Sequence, residues 1–333
     1  MKEIIYAIFL SFFLCGLCGN AEAKKKKEVK KAIKREVQTP YDKLFKGKKA
    51  FTVNGLMKMH LMAGKVYAEF PIELLNRDLA LTSSIEDISD NGEGVVGQFA
   101  GRVNQFRFTL QDSMLQARLV RRYGVKNTGM GKNADQIIER SNTPGIFQSY
   151  KILAYTPDKK AVVVDMTELF LESSRLTNPF PSYAGNSLYG FVQRIHKFQS
   201  QRSELLGICG NDNSMSVHCN LGFNVDRLVL GSFMQAKDVP VSVTVNKILM
   251  LLPEDPMRPR LADSRIGVNA IIQTELPDVC QGIKTYYITK RWRIEPVDEI
   301  RYKQGEMVDV KKPIVFYIDT LMPDSWIKYV KAG

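Results

Sequence analysis

The residues best suited to chemistry are few. The chain carries three histidines: His60, His196 and His218. A zinc-peptidase helix places two histidines four residues apart, with a glutamate after the first. Both imidazoles then share one helix face and the carboxylate activates water. No pair here has that spacing. His60 falls in an apolar run and reads as structural. His218 stands beside Cys219, but one imidazole and one thiol do not make a zinc set. "GMGKNA" at 129–134 opens like a phosphate loop and lacks the Gly-Lys-Ser/Thr ending. No Gly-x-Ser-x-Gly occurs. The sequence therefore assigns no catalytic residue, no metal ligand and no cofactor to this chain. Two polar features remain. Cys209 and Cys219 flank "GNDNSMSVH", read as a turn between short strands. They pair in a disulfide worth roughly 2–3 kcal/mol or stay free and buried. "LLPEDPMRPRLADSRIG" at 251–267 gathers Arg258, Arg260, Asp263 and Arg265 between prolines. It is either a surface connection with internal ion pairs or a loop that lines a cleft or docks on another domain, a use to which the planar guanidinium fork is suited. A site assembled by folding from His196, His218 and the 258–265 arginines is a further alternative.

The elements that must position these residues are mostly strands. Lys2 followed by the apolar run Ile4–Leu17 and by Ala21-Glu22-Ala23 has the layout of a secretory signal peptide cleaved after Ala23. The chain is then exported, to the periplasm, the outer membrane or the outside. The net charge is +12, yet Lys24–Arg35 alone holds eight positive residues and one Glu. The basic character is thus largely local: a solvated leader, or a contact with anionic lipid headgroups. A basic, aromatic-bearing folded surface for nucleic acid is not apparent. From Gly55 onward, alternating runs predict a hairpin about Ala63-Gly64-Lys65, a turn at Asp90-Asn91-Gly92 and strands at "GVVGQFAG", "NQFRFTLQ" and "SMLQARLVRRY". Further strands follow at Ala161–Asp165 and along the Val241, Val243, Val245 alternation, with helices near Ala134–Arg140 and Thr167. The expected class is β-rich α+β with mainly antiparallel short strands. The expected division is signal peptide 1–23, basic leader 24–40, a small domain 41–92, a β-rich domain 93–295 and a closing segment 296–333.

That closing segment reads as a strand, Ile314–Ile318, then a turn at Asp319 and Pro323, then a helix from Asp324. Several stretches together carry a resemblance: "YDKLFKGKKAFTVNGLMKMHLMAGKVYAEFPIELLNRDLAL" (41–81), "SYKILAYTPDKKAVVVDMTELFL" (149–171), "LLPEDPMRPRLADSRIGV" (251–268), "KRWRIEP" (290–296) and "KKPIVFYIDTLMPDSWIKYVKAG" (311–333). The chain resembles the N-terminal, non-catalytic region of a bacterial family of exported, metzincin-like zinc metalloproteases. The resemblance implies that the Tyr317-Ile318-Asp319 strand and the Trp326 helix begin a protease domain. Its His-Glu-x-x-His-x-x-Gly-x-x-His helix, and hence its zinc, would lie further on. None of those positions exists here, so no catalytic residue carries over and the chain alone is expected to be inactive. The expected function is a scaffold or pro-region-like part of an exported zinc metallopeptidase, partnered in cis or in trans by the protease domain and, through it, by a peptide or protein substrate. The alternative is a complete exported binding module. Arg258, Arg260, Asp263, Arg265, Tyr317, Asp319 and Trp326 are the expected interface residues.

Overall fold

Two-residue alternation dominates the sequence, and strand accordingly makes up 48% of the structure against 14% helix. The β-rich α+β class is as expected. The computed structural model describes residues 38–333, apart from 102, 121–124, 129–131, 174–176, 181–184, 188–189, 230–234, 278–281 and 333. The expected signal peptide with Ala21 and Ala23, the basic Lys24–Arg35 leader with its lipid contact, and Cys280 lie outside the described residues.

In chain order the strands are β1 (Phe51–Val53), β2 (Lys58–Met62), β3 (Lys65–Pro71), β4 (Asp78–Ile88), β5 (Asn104–Gln111), β6 (Met114–Val120), β7 (Val125–Thr128) and β8 (Gly145–Lys151). They continue with β9 (Ala154–Tyr155), β10 (Ala161–Asp165), β11 (Gly185–Ser187), β12 (Gly190–Asn211), β13 (Ser214–Val229), β14 (Gln235–Leu251), β15 (Ala270–Pro277) and β16 (Lys284–Thr289). The helices are α1 (Pro40–Phe45), α2 (Lys132–Ser141), α3 (Thr167–Leu171), α4 (Glu299–Lys303) and α5 (Asp324–Ala332). One sheet runs β1-β2-β3-β10-β9. An eight-stranded sheet, curled like half a barrel, runs β11-β12-β13-β14-β4-β5-β6-β8. A third runs β16-β15-β7.

The core follows from the strand alternation. Met59, Val66, Ala68, Phe70, Val162 and Val164 of the five-stranded sheet pack on Leu79, Phe106, Phe108, Leu115, Met215, Val217 and Leu249 of the large one. Further along the same face of the large sheet, Ile85, Leu221, Phe223, Val225, Val241, Val243 and Val245 form a second cluster, covered by Ala100 and Phe180. The Val241, Val243, Val245 stripe continues through Lys247 to Leu249, so a lysine stands in the core row between the two clusters. The β2–β3 hairpin turns at Ala63 and Gly64, both with positive φ (52° and 71°), which matches the right-handed strand twist.

Several expectations need correction. The division at Gly92 does not separate two sheets. β4 is hydrogen-bonded between β14 and β5, both from beyond that line, while β10 and β9 complete the sheet begun by β1–β3. "GVVGQFAG" is not a strand: positive φ at Gly97 (85°) and Gly101 (73°) breaks the extended path, leaving only an isolated Ser84–Phe99 bridge. Ile314–Ile318 is not a strand either, because the run finds no ladder partner and Pro313 offers no amide donor. The Cys209–Cys219 disulfide does not form. Both thiols are free, Cys209 exposed and Cys219 buried. In the β12–β13 ladder Cys209 faces Ser216, three positions from Cys219. An odd offset puts the two side chains on opposite sheet faces, where no S–S bond can close.

Candidate functional site

The residues from 251 onward are held by arginines that reach backbone. Arg291 donates to the Arg258 carbonyl at 2.8 Å, and Arg293 donates to the Asp255 carbonyl at 2.8 Å and to Glu295 at 2.7 Å. Thr289 donates its amide to the Arg260 carbonyl. The loop is thereby clamped to the 289–295 run. Among the described residues, Arg265 pairs only with Asp263, two residues away (2.6 Å). That pairing holds the Asp263 carboxyl below its ordinary value. Among the described residues, Arg258 and Arg260 contribute their carbonyls as acceptors rather than guanidinium contacts. Asp319 caps a turn by accepting the Leu321 amide. Among the described residues, no hydrogen bond, ion pair or ring contact joins the 258–265 loop to Tyr317, Asp319 or Trp326. The structure does not bring the seven expected interface residues together as one cleft.

What the segment does present is apolar surface. Tyr317 is 93% exposed, Phe316 80%, Leu321 89% and Trp326 63%. Trp292 meets Phe316 edge-on at 6.2 Å, and Trp326 meets Tyr329 at 6.3 Å. On α5 the indole and phenol share one side of the helix, three residues apart, with Ile327 and Val330 close by. No residue of α5 is buried. An amphipathic helix with no buried residue leaves its apolar side uncovered.

The three histidines lie in three separate places, each beside a glutamate. His60 Nε2 is 3.0 Å from Glu69 Oε1, His196 Nε2 is 2.7 Å from Glu93 Oε2, and His218 Nδ1 is 2.9 Å from Glu86 Oε2. Each place supplies one imidazole, so no zinc tetrad assembles from them. His196 and His218 do not converge with the 258–265 arginines. The Glu93 site is the most heavily charged. The Glu93 carboxylate is fully buried and meets Arg227 Nε at 2.8 Å, Arg194 Nε at 3.3 Å and His196. Asp90 also accepts from Arg227, which with the Gly92 amide keeps its carboxyl below the ordinary range. Phe180 stacks on the His196 ring at 4.2 Å. This cluster ties the 89–103 loop back across the sheet to β12 and β13.

The second cluster lies on the outer face of the five-stranded sheet. The antiparallel register brings Lys58 opposite Glu69 and His60 opposite both Tyr67 and Thr52. Thr52 Oγ1 lies 2.8 Å from His60 Nδ1, and Tyr41 donates its hydroxyl to Glu69 at 2.6 Å. α1 covers this face, with Phe45 over the His60 ring at 4.4 Å. Its start is fixed by a reciprocal capping box between Thr39 and Asp42 and by Pro40 in the first turn. Burial alone would raise the Glu69 carboxyl. Hydrogen bonds from His60 and Tyr41 and the Lys58 charge outweigh it and hold the group below its ordinary value. An ionised Glu69 can only accept, so His60 carries its proton on Nε2. Thr52, His60 and Glu69 thus form a hydroxyl–imidazole–carboxylate line. The hydroxyl end points away from the cleft beside Glu69, since neither Thr52 nor His60 lines it.

Residues 97–297 match the family described as a domain of unknown function, DUF5117, and residues 38–88 match a second such domain, DUF5118. The chain belongs to the DUF5117 family. No curated protein and no solved structure matches it. The DUF5117 segment contains Glu93's partners Arg194, His196 and Arg227 but not Glu93 itself. The DUF5118 segment supplies the whole Tyr41–His60–Glu69 cluster. The two segments share both large sheets through β4 and β10.

Proposed function

We propose that this chain is the non-catalytic, β-rich scaffold of an exported zinc-dependent metallopeptidase. In this reading the 290–332 segment is the docking surface for the peptidase domain, which carries the zinc. The observation that carries the reading is the exposure of Trp292, Phe316, Tyr317, Leu321, Trp326 and Tyr329, with Trp292 on Phe316 and Trp326 on Tyr329. Aromatic residues of this kind anchor protein interfaces when a partner desolvates them. The arginine clamp on 255–260 fixes the 289–295 run and so preforms the Trp292 end of that surface, which lowers the ordering cost of docking there. The sequence resemblance suggests the identity of the partner, and the signal-peptide layout of residues 1–23 supports export.

The test uses the native protein isolated from its own cells with an antibody to residues 39–333. Its intact mass, zinc content and crosslinks are read together. The expected result is zinc held by a peptidase domain, either on the same polypeptide or bound in stoichiometric amount, with crosslinks reaching Trp326 and Lys328. Trp326→Ala with Tyr329→Ala should weaken that docking at least tenfold while leaving the melting of the isolated 39–333 chain unchanged. Two results overturn the proposal. One is stoichiometric zinc or peptide hydrolysis by the purified 39–333 chain itself. The other is a native protein without peptidase or zinc, in which Trp326 stays open to solvent; a stand-alone exported interaction module would then be the remaining reading.

A further inference from the structure

Two cavities meet where the 253–258 loop, the 291–299 run and the 311–312 pair come together. One, of about 280 Å³, is lined by Pro253, Arg293, Glu295, Lys311 and Lys312. The other, of about 270 Å³, has Arg258, Arg291, Glu295, Glu299 and Lys311 in its wall. They share Glu295 and Lys311, so five cations and two carboxylates surround one junction. Hydrogen bonds to backbone hold the three segments together. Arg291 and Arg293 donate to the Arg258 and Asp255 carbonyls, each at 2.8 Å, and the Lys311 amide donates to the Glu295 carbonyl at 2.8 Å.

Both carboxylates are already matched. Glu295 accepts from Arg293 at 2.7 Å, and Glu299 lies 3.5 Å from Lys303, which lines neither cavity. Glu254 pairs with Arg77 at 2.8 Å, and neither Glu254 nor Asp255 lines either cavity. Among the described residues, Arg258, Arg291, Lys311 and Lys312 have no ion-pair partner, and all four are exposed. The field at the junction is accordingly positive: the Arg293 hydrogen bond, with the charges of Arg293, Lys311 and Arg291, holds the Glu295 carboxyl below its ordinary value. One further carboxylate would cancel only part of this excess. A phosphate group carries about 1.5 to 2 negative charges at neutral pH and three acceptor oxygens, which can meet cations arriving from different segments. Lysine serves such a group as a point charge, without the planar match that joins carboxylate to guanidinium, and the Arg291 and Arg293 forks are partly occupied by carbonyls. We propose that this junction is a phosphate-binding site, with Lys311 between the two cavities as its central cation and Arg258, Arg291 and Lys312 around it. The phosphate is either free or carried on a lipid headgroup, and the chemistry of its capture is the same. The inference stands on the two cavities and does not depend on a peptidase partner.

Residues 39–333 form one compact unit. The 39–333 chain also leaves out the Lys24–Arg35 leader, which would itself attract anions. This chain is titrated at low salt with inorganic pyrophosphate and, separately, with citrate, whose charge comes from carboxylates alone; amide shifts are followed by NMR. It is also sedimented with phosphatidylglycerol vesicles. Pyrophosphate should bind with a Kd of about 1 mM or tighter, about tenfold more tightly than citrate, with shifts confined to 253–258, 291–299 and 311–312. Lys311→Gln removes the charge common to both cavities from an exposed side chain and should weaken binding about five- to tenfold. Lys151→Gln, on β8, should leave it unchanged. Pyrophosphate binding that Lys311→Gln weakens supports the site with free phosphate as its ligand. Sedimentation with phosphatidylglycerol that Lys311→Gln and Lys312→Gln together abolish, without pyrophosphate binding, supports it with the lipid headgroup as the source. Binding of neither probe, equal binding of citrate, or binding that the lysine substitutions leave unchanged would each overturn the proposal.

Discussion

Lys247 offers the sharpest test of the packing. Its position on the core face of β14 is set by the same alternation that buries Val245 and Leu249, and its side chain has no exposed surface. The ammonium donates to the Glu172 carbonyl at the end of α3, at 3.0 Å. Loss of hydration pulls the group down from 10.5 to about 8, against the smaller opposing pulls of Cys219 and Glu172. A base with a depressed value sheds its proton in the folded protein while the unfolded chain still holds one. Stability therefore rises with pH between about 8 and 10.5, and below 8 the buried charge is a standing cost. At 1.36 kcal/mol per unit, that cost at pH 7 is on the order of 3 kcal/mol. Replacing Lys247 by Met keeps the stem volume and removes the charge. It also forfeits one hydrogen bond, worth about 1 kcal/mol. The variant should therefore be more stable than the parent by about 2 kcal/mol at pH 7. Between pH 7 and pH 9.5 the parent should recover about 2 kcal/mol, so the two should nearly coincide at the higher pH. Urea unfolding of both chains at the two pH values measures this, and the difference between them cancels every group they share. A variant less stable than the parent at pH 7, or an advantage that does not shrink by pH 9.5, would refute the reasoning that Lys247 is buried with its charge uncompensated.

Three further outcomes are expected. Glu93→Gln leaves Arg194, Arg227 and His196 without their shared anion and should cost about 2–4 kcal/mol. That is somewhat below the 3–5 kcal/mol of a fully buried pair, because both guanidiniums keep over a quarter of their surface in water; amide exchange should quicken across 89–103, and unchanged exchange there would show that the loop is held otherwise. Gly55→Ala should cost about 1–3 kcal/mol, since its Cβ would stand 2.7 Å from the Asn211 carbonyl oxygen. Gly210→Ala should cost less, because its new Cβ meets chiefly the flexible end of Met215; equal unfolding midpoints for the two variants would contradict that ranking. Native protein treated with iodoacetamide should be alkylated at exposed Cys209 and not at Cys219, whose thiol is pushed up to about 11 by burial; peptide mapping decides it, and protection of both thiols until reduction would restore the disulfide.

Much of the fold was legible because alternation is a local signal. The β14 stripe, the Ala63-Gly64 hairpin and the helices near Thr167 and Ala134–Arg140 can all be read from neighbouring residues. The failures share a cause. Ile314–Ile318 has strand-favouring residues, but a strand is defined by a partner, and the sequence does not name one. The Cys209–Cys219 pair looked close along the chain, and only the register shows that the spacing sends the two sulfurs to opposite faces. Lys247 could have been found, since it interrupts a row of core residues at the correct parity. Glu69 could have been found too: once the hairpin turn is fixed at Ala63-Gly64, counting back puts Lys58 opposite it. Glu93 could not. Its partners His196 and Arg227 lie 103 and 134 residues away, and they meet it only because the 89–103 loop doubles back across β14.

The same distinction separates the two candidate surfaces. The Glu69 face is built from the β2–β3 hairpin and the α1 helix over it, all within residues 39–71, so its hydrogen bonds can be tested on the isolated chain. The 290–332 surface is defined by what it leaves uncovered. α5 has helix-forming residues, an acidic first turn and a basic last turn, which suit the helix dipole. Those terms are worth tenths of a kcal/mol each, and a nine-residue helix without tertiary packing is marginal in water. Partner docking would therefore be expected to order α5 as well as to hide Trp326, and slow amide exchange at 324–332 should appear only in the complex.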